Sequence, residues 1–128
     1  INSNNKYMTC GAFLKELCEL EDKEQYVILG TANGINEYNF IYVNEIKLVW
    51  DSLMGKYCLH LIHNTNINDK LLTVNDIITC IEKWNNKCNI SKIYIETYKY
   101  DGEKNKYIML MLFNKIIQRK DNIMLMIK

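Results

Sequence analysis

The chain contains no proline and five glycines in 128 residues, and its glycines are dispersed instead of gathered into a loop that could cradle a phosphate. It holds a single arginine, Arg119, where phosphate and base recognition usually calls on several. None of the five cysteines forms a CxxC pair, and no apolar run approaches the roughly 18 residues that span a bilayer as a helix. No signal-peptide pattern opens the sequence. These absences argue against a zinc ribbon, a nucleotide-binding loop and a membrane helix, and they leave a reduced, intracellular globular domain as the expectation. The net charge of +1 points the same way, because it gives no general attraction to nucleic acid or to an anionic membrane.

What is present is an apolar, tyrosine-rich chain, 48% hydrophobic and 24% charged, long enough to bury a core without staples. Residues 1–9 are polar and read as frayed, with one domain over 10–128. The start at Ile1 and the apolar "NIMLMIK" read as edges of a longer protein. Cys10, Cys18, Cys58, Cys80 and Cys88 fall mostly in apolar segments, as buried free thiols do. Asn89-Ile90-Ser91 has the form of a glycosylation sequon, a triplet expected by chance in an asparagine-rich chain.

Along the chain, Phe13, Leu14, Leu17 and Cys18 suit a helix over Cys10–Leu20, although the segment also reads as the start of a sheet. "QYVILG", the Asn33-Gly34 pair and "EYNFIYV" spell a β-hairpin. Asn44 stands where an N-cap belongs, and Ile46, Val49, Trp50, Leu53 and Tyr57 form a helical stripe running to about His60 or His63. Thr73 and Asp76 have capping-box spacing ahead of Val74, Ile77, Ile78, Ile81 and Trp84, a second amphipathic helix. Thereafter the period falls to two, giving three strands, with Asp101-Gly102 and "QRKDN" as turns. The middle strand alternates Tyr107, Met109, Met111 and Phe113 with Ile108, Leu110 and Leu112, so it belongs in the sheet's centre or under cover on both faces. The expected fold class is α+β: a β-sandwich or bent antiparallel sheet with a helix-turn-helix inserted between two strand groups.

A search for chemistry returns little. Cys58, His60 and His63 invite a metal, but zinc wants three or four ligands with a supported second shell and nothing nearby completes the set. The carboxylates of Glu19, Glu21, Asp22 and Glu24 form a charge run beside a turn, which is solvated unless a pocket separates their pKa values. There is no serine nucleophile elbow and no cysteine-hydrolase signature, so the expectation is no enzyme, no cofactor and no metal. A possible basic patch comprises Lys115, Arg119 and Lys120, with Lys83, Lys87 and Lys92 near the second helix's end; a solvated face is the simpler account. Phe113, Ile116 and Ile117 lie at or beside the last hairpin's tip, where a hydrophobic wedge would mediate self-association.

"YNFIYVNEIKLVW", residues 38–50, resembles the strand-to-helix joint in the head domains of the end-joining scaffolds XLF and PAXX, and "SKIYIETYKYDGEKNKYIMLMLFNKIIQRKDNIMLMI" is similar to the closing meander of their centriolar cartwheel (spindle-assembly) and basal-body coiled-coil relatives. The resemblance spans residues 25–127. It implies a β-sandwich head followed by a parallel coiled coil that makes homodimers, with head-to-head contact through a hairpin-loop apolar residue, here at Phe113, Ile116 and Ile117. The function it implies is a non-enzymatic scaffold for centriole or basal-body assembly in the cytoplasm and cytoskeleton, or alternatively for DNA end joining. A rival stretch, "VNDIITCIEKWNNKCNISKIYIETYKYDG", looks like the opening of the Alu-RNA-binding subunits of the signal recognition particle, a family that is strongly basic and closes with a helix, as this chain does not.

Overall fold

The computed structural model describes residues 8–32, 38–53, 55–63, 71–88, 95–101 and 105–127. Two helices and seven strands follow in the order α1 (Cys10–Glu19), β1 (Tyr26–Ala32), β2 (Tyr38–Tyr42), β3 (Glu45–Asp51), β4 (Lys56–His63), α2 (Val74–Cys88), β5 (Ile95–Asp101), β6 (Asn105–Gln118) and β7 (Asn122–Ile127). The fold is α+β, built on one seven-stranded sheet in the order β2-β1-β7-β6-β5-β4-β3. Residues 1–7, 33–37 and 102–104 lie outside the described residues, and with them most of the segment expected to fray and the expected turns at Asn33-Gly34 and Gly102.

Both helices start as their sequences dictate. Thr9 caps α1 by accepting a hydrogen bond from the Ala12 N–H through Oγ1, which settles the ambiguous Cys10–Leu20 segment as helix. At α2 the capping box closes reciprocally: the Thr73 N–H donates to Asp76 Oδ2 at 3.0 Å and the Asp76 N–H donates to Thr73 Oγ1 at 3.2 Å. The first turn of α2 is also tied to the chain ahead of β1, since the Val74 and Asn75 N–H groups donate to the carbonyls of Gln25 and Lys23.

Three expectations are corrected. Residues 45–63 are a β-hairpin, with Glu45 paired to Ile62 and Asp51 to Lys56, so Asn44 caps no helix and the described residues form no helix-turn-helix. The same residues satisfy a period of two, Ile46, Leu48 and Trp50 on one side and Glu45, Lys47, Val49 and Asp51 on the other, and the cross-strand pairs Ile46–Leu61, Leu48–Leu59 and Trp50–Tyr57 favour strand. Among the described residues α2 alone separates the strand groups. Nor is the sheet wholly antiparallel: β1 runs parallel to β7 and β4 parallel to β5, the latter connected through α2 as a parallel crossover requires.

The bend in the sheet has a visible cause at each end. β6 is 14 residues long and changes partner midway, pairing with β5 up to Leu112 and with β7 from Phe113, with a register shift between Phe113 and Lys115. The Phe113 carbonyl receives the Met8 N–H at 2.8 Å, which anchors the entry to α1 at the bend. At the other end, the edge strands β2 and β3 are separated in the chain by Val43 and Asn44 alone. The Val43 N–H donates to the Val27 carbonyl on β1 and the Asn44 N–H to the Ile62 carbonyl on β4. The sheet therefore curls until its two ends meet at this joint.

α1 and α2 pack against one face of the curled sheet. Phe13 and Leu17 of α1 and Val74, Ile77 and Ile81 of α2 share a core with Val27, Leu29, Leu59, Leu61, Ile123 and Leu125, closed at the joint by Val43 and at the bend by Phe113. The alternate residues Ile28, Cys58, His60, Ile62 and Met124 are buried apart from that cluster, so β1, β4 and β7 are buried on both faces, as the apolar runs "YVIL" and "NIMLMI" require.

Candidate interaction surface

Sequence reasoning placed a self-association surface at Phe113, Ile116 and Ile117; the fold buries the first of them and half-buries the other two. Phe113 has 0% of its surface exposed and packs edge-on against Phe13, ring centroids 5.1 Å apart. It is the corner of the core and presents nothing to a second molecule. Ile116 is half-buried against the same core and, with Glu16, Glu19, Leu20 and Gln118, lines a cleft of about 270 Å³ beneath α1. Ile117 is also half-buried, opposite Met124. The reason lies in the position of β6: its bend carries Phe113 into the interior, well before the turn that reverses the chain at 119–121.

That turn is built from polar contacts. Gln118 and Gln25 exchange side-chain hydrogen bonds, Nε2 of each donating to Oε1 of the other, and Gln118 Nε2 also donates to the Arg119 carbonyl. Lys115 and Lys120 are exposed and Arg119 is half-buried, so two of the three candidate basic residues stand in solvent. Lys83 is exposed; Lys92 lies outside the described residues, as does the side chain of Lys87.

The cysteine and histidine set is rearranged by the change from helix to strand. With β4 extended, Cys58 and His60 share one face while His63 falls on the other, with Leu59 and Leu61. His63 donates from Nδ1 to the Tyr42 carbonyl at 2.8 Å, which ties the end of β4 to the joint. The Cys58 thiol donates to Asp51 Oδ2 at 3.9 Å. Among the described residues no three histidine, cysteine or acidic side chains converge as metal ligands do. Burial pushes the Cys10 thiol up to about 12 and raises that of Cys80, the latter further through the Asp76 carboxylate, whereas Cys18 is exposed. In the acidic run, Glu19, Glu21, Asp22 and Glu24 all lie in solvent, with Asp22 Oδ1 accepting the Glu24 N–H.

Among the described residues the most exposed large apolar side chains are at the tip of the β3–β4 hairpin, with Tyr26 next at 44%. Leu53 is 97% exposed and Trp50 is 53% exposed, the latter braced edge-on against Tyr57 at 5.0 Å between centroids. The tip is held in shape from below: the Asp51 carboxylate accepts the Leu53 N–H at 2.9 Å, and the Gly55 N–H donates to the Asp51 carbonyl at 2.8 Å. Gly55 has φ of 67°, the left-handed conformation that glycine adopts without cost and that lets the chain turn back into β4. A leucine is thus held outward on a braced turn, at the end of a strand that lies at the margin of the sheet.

β3 is that marginal strand. Among the described residues it pairs with β4 alone, so one row of its backbone groups has no partner strand. Its side chains are half-buried or exposed throughout, with Lys47 in solvent and 3.6 Å from the Glu45 carboxylate. Natural edge strands are usually blunted by charges, a bulge or a proline; this one has no bulge or proline and sets three charges, Glu45, Lys47 and Asp51, among Ile46, Leu48, Val49 and Trp50 in regular register over seven residues. Helical periodicity hid the surface, because Trp50 and Leu53 were counted into a buried stripe. The signal that would have found it is the turn "DSLMG" between two runs of period two.

No protein-family model, no curated protein and no solved structure matches this chain.

Proposed function

We propose that this chain is a non-enzymatic scaffold domain that acts by protein–protein contact, through the free edge of β3 and the apolar tip of the β3–β4 hairpin. The observation that carries this reading is Leu53 at 97% exposure beside Trp50 on a turn braced by Asp51 and Gly55. A large apolar side chain exposed to water gains nothing in a solitary domain, whereas contacts of this make-up, an aromatic anchor with an adjoining aliphatic, dominate binding at protein interfaces. A strand edge next to it supplies directional backbone hydrogen bonds, the chemistry of strand addition.

The wider setting is the one implied by the resemblance, a scaffold head for centriole or basal-body assembly. The stretch likened to its closing meander forms β5, β6 and β7 here, while the stretch likened to a strand-to-helix joint is a strand running into a strand. The scaffold reading therefore rests on the hairpin tip and not on that joint. Nucleic acid has less in its favour, with one arginine and a net charge of +1.

A photo-crosslinking residue placed at position 53 tests the proposal in the cells that make the protein. Discrete protein adducts at position 53, absent when the same residue is placed at the exposed Glu21, are the expected result. Equal labelling at both positions, or none at either, would count against the hairpin tip.

A further inference from the structure

We infer that the partner of the β3 edge is the β3 edge of a second copy of this chain, paired antiparallel about Val49; this rests on the proposed function and makes it specific. A strand meeting its own copy across a two-fold axis satisfies the relation that residue i lies opposite residue j while j lies opposite i. Few registers are open to seven residues carrying three charges.

Centring the pair on Leu48 would set Glu45 against Asp51 twice, like charges directly opposite. Centring it on Lys47 would set two lysines against each other. Centring it on Ile46 would draw in Val43 and Asn44, whose N–H groups are already committed to Val27 and Ile62. Centring it on Val49 sets Lys47 opposite Asp51 on both sides of the axis and Leu48 opposite Trp50. That register has every charge within 47–51 opposite its complement and buries the half-exposed Trp50 against an aliphatic partner. Leu53 then falls opposite Glu45, just beyond the pairing. Lys47 is free to reach across because its contact with Glu45 is a long one, 3.6 Å, in solvent.

Sedimentation velocity over a range of concentrations reads the association directly. Lys47→Glu leaves two acidic residues facing each other at both ends, and Asp51→Lys leaves two lysines; each change is expected to weaken self-association by about tenfold or more. An equimolar mixture of the two variants restores complementary pairs, so a heterodimer of near wild-type affinity is expected. Because Asp51→Lys also removes the cap on the Leu53 N–H, a second pair of variants, Val49→Glu and Val49→Lys, makes the same test at the axis without touching the turn. Failure of both mixtures to associate when the wild type does would overturn the register. A wild type that stays monomeric at every concentration, while position 53 still crosslinks to a different protein, would overturn the second copy as partner and leave the interaction surface standing.

Discussion

Phe113→Ala is expected to lower stability by about 3–5 kcal/mol, the loss typical of a fully buried aromatic side chain. The magnitude follows from position. Phe113 has no exposed surface, packs against Phe13 of α1, and occupies the residue at which β6 exchanges β5 for β7 as partner. Truncation leaves a cavity at the bend, and Phe13 loses its edge-to-face partner as well. Denaturant unfolding would show a lower midpoint with an unchanged slope. A surface wedge would behave otherwise, with Phe113→Glu sparing the fold and weakening only association; from its place in the core that glutamate is expected to prevent folding, because an unpaired charge would be buried there.

The second large effect is alkaline. Cys10 is the first residue of α1, where the helix dipole favours a thiolate, yet burial against the core outweighs it and holds the thiol at about 12 instead of 9.0. The folded state consequently keeps a proton that the unfolded chain releases above 9. The stabilisation is complete below that value and is lost as the pH rises towards 12, at about 1.4 kcal/mol per pH unit within the window. Comparing unfolding free energies of the wild type and Cys10→Ala between pH 8 and roughly pH 11 isolates this proton, since tyrosine titration is common to both proteins. The wild-type curve is expected to fall more steeply above about 9; parallel curves would mean that Cys10 ionises in the fold as it does in water.

Those two residues also mark what the sequence could and could not convey. α2 was legible down to its cap, because Thr73 and Asp76 are local signals and their hydrogen bonds span three residues. The three closing strands and the central place of β6 were legible too, since a strand apolar on both faces has few other homes. The segment 45–63 was not, because its apolar residues fit a period of 3.6 and a period of two at once. The choice between them is made by pairing, β3 with β4 across the hairpin and β4 with β5, the latter more than 30 residues distant in the chain and outside any local window.

The same distance explains the displaced surface. Proximity to a turn placed Phe113, Ile116 and Ile117 together at the last hairpin, but the shift of register at Phe113 is a property of the assembled sheet and turns that side chain inward. Conversely, Leu53 had an apolar stripe to belong to only while the segment was a helix. Once it is a strand, Trp50 lies at the sheet's margin and Leu53 projects from a turn. The joint at Val43 and Asn44 carries the rest: by joining β2 to β3 directly it draws the sheet into a curl and leaves β3 as the edge nearest the exposed tip.

Residue-resolved amide hydrogen exchange across Glu45–Asp51 at low and high protein concentration is the most direct measurement. If this edge is where the chain meets its own copy, every second amide of β3 exchanges fast in dilute solution and becomes protected as concentration rises, while β4 stays protected throughout. Exchange in β3 that is indifferent to concentration, or uniform protection of consecutive amides as in a helix, would contradict the account.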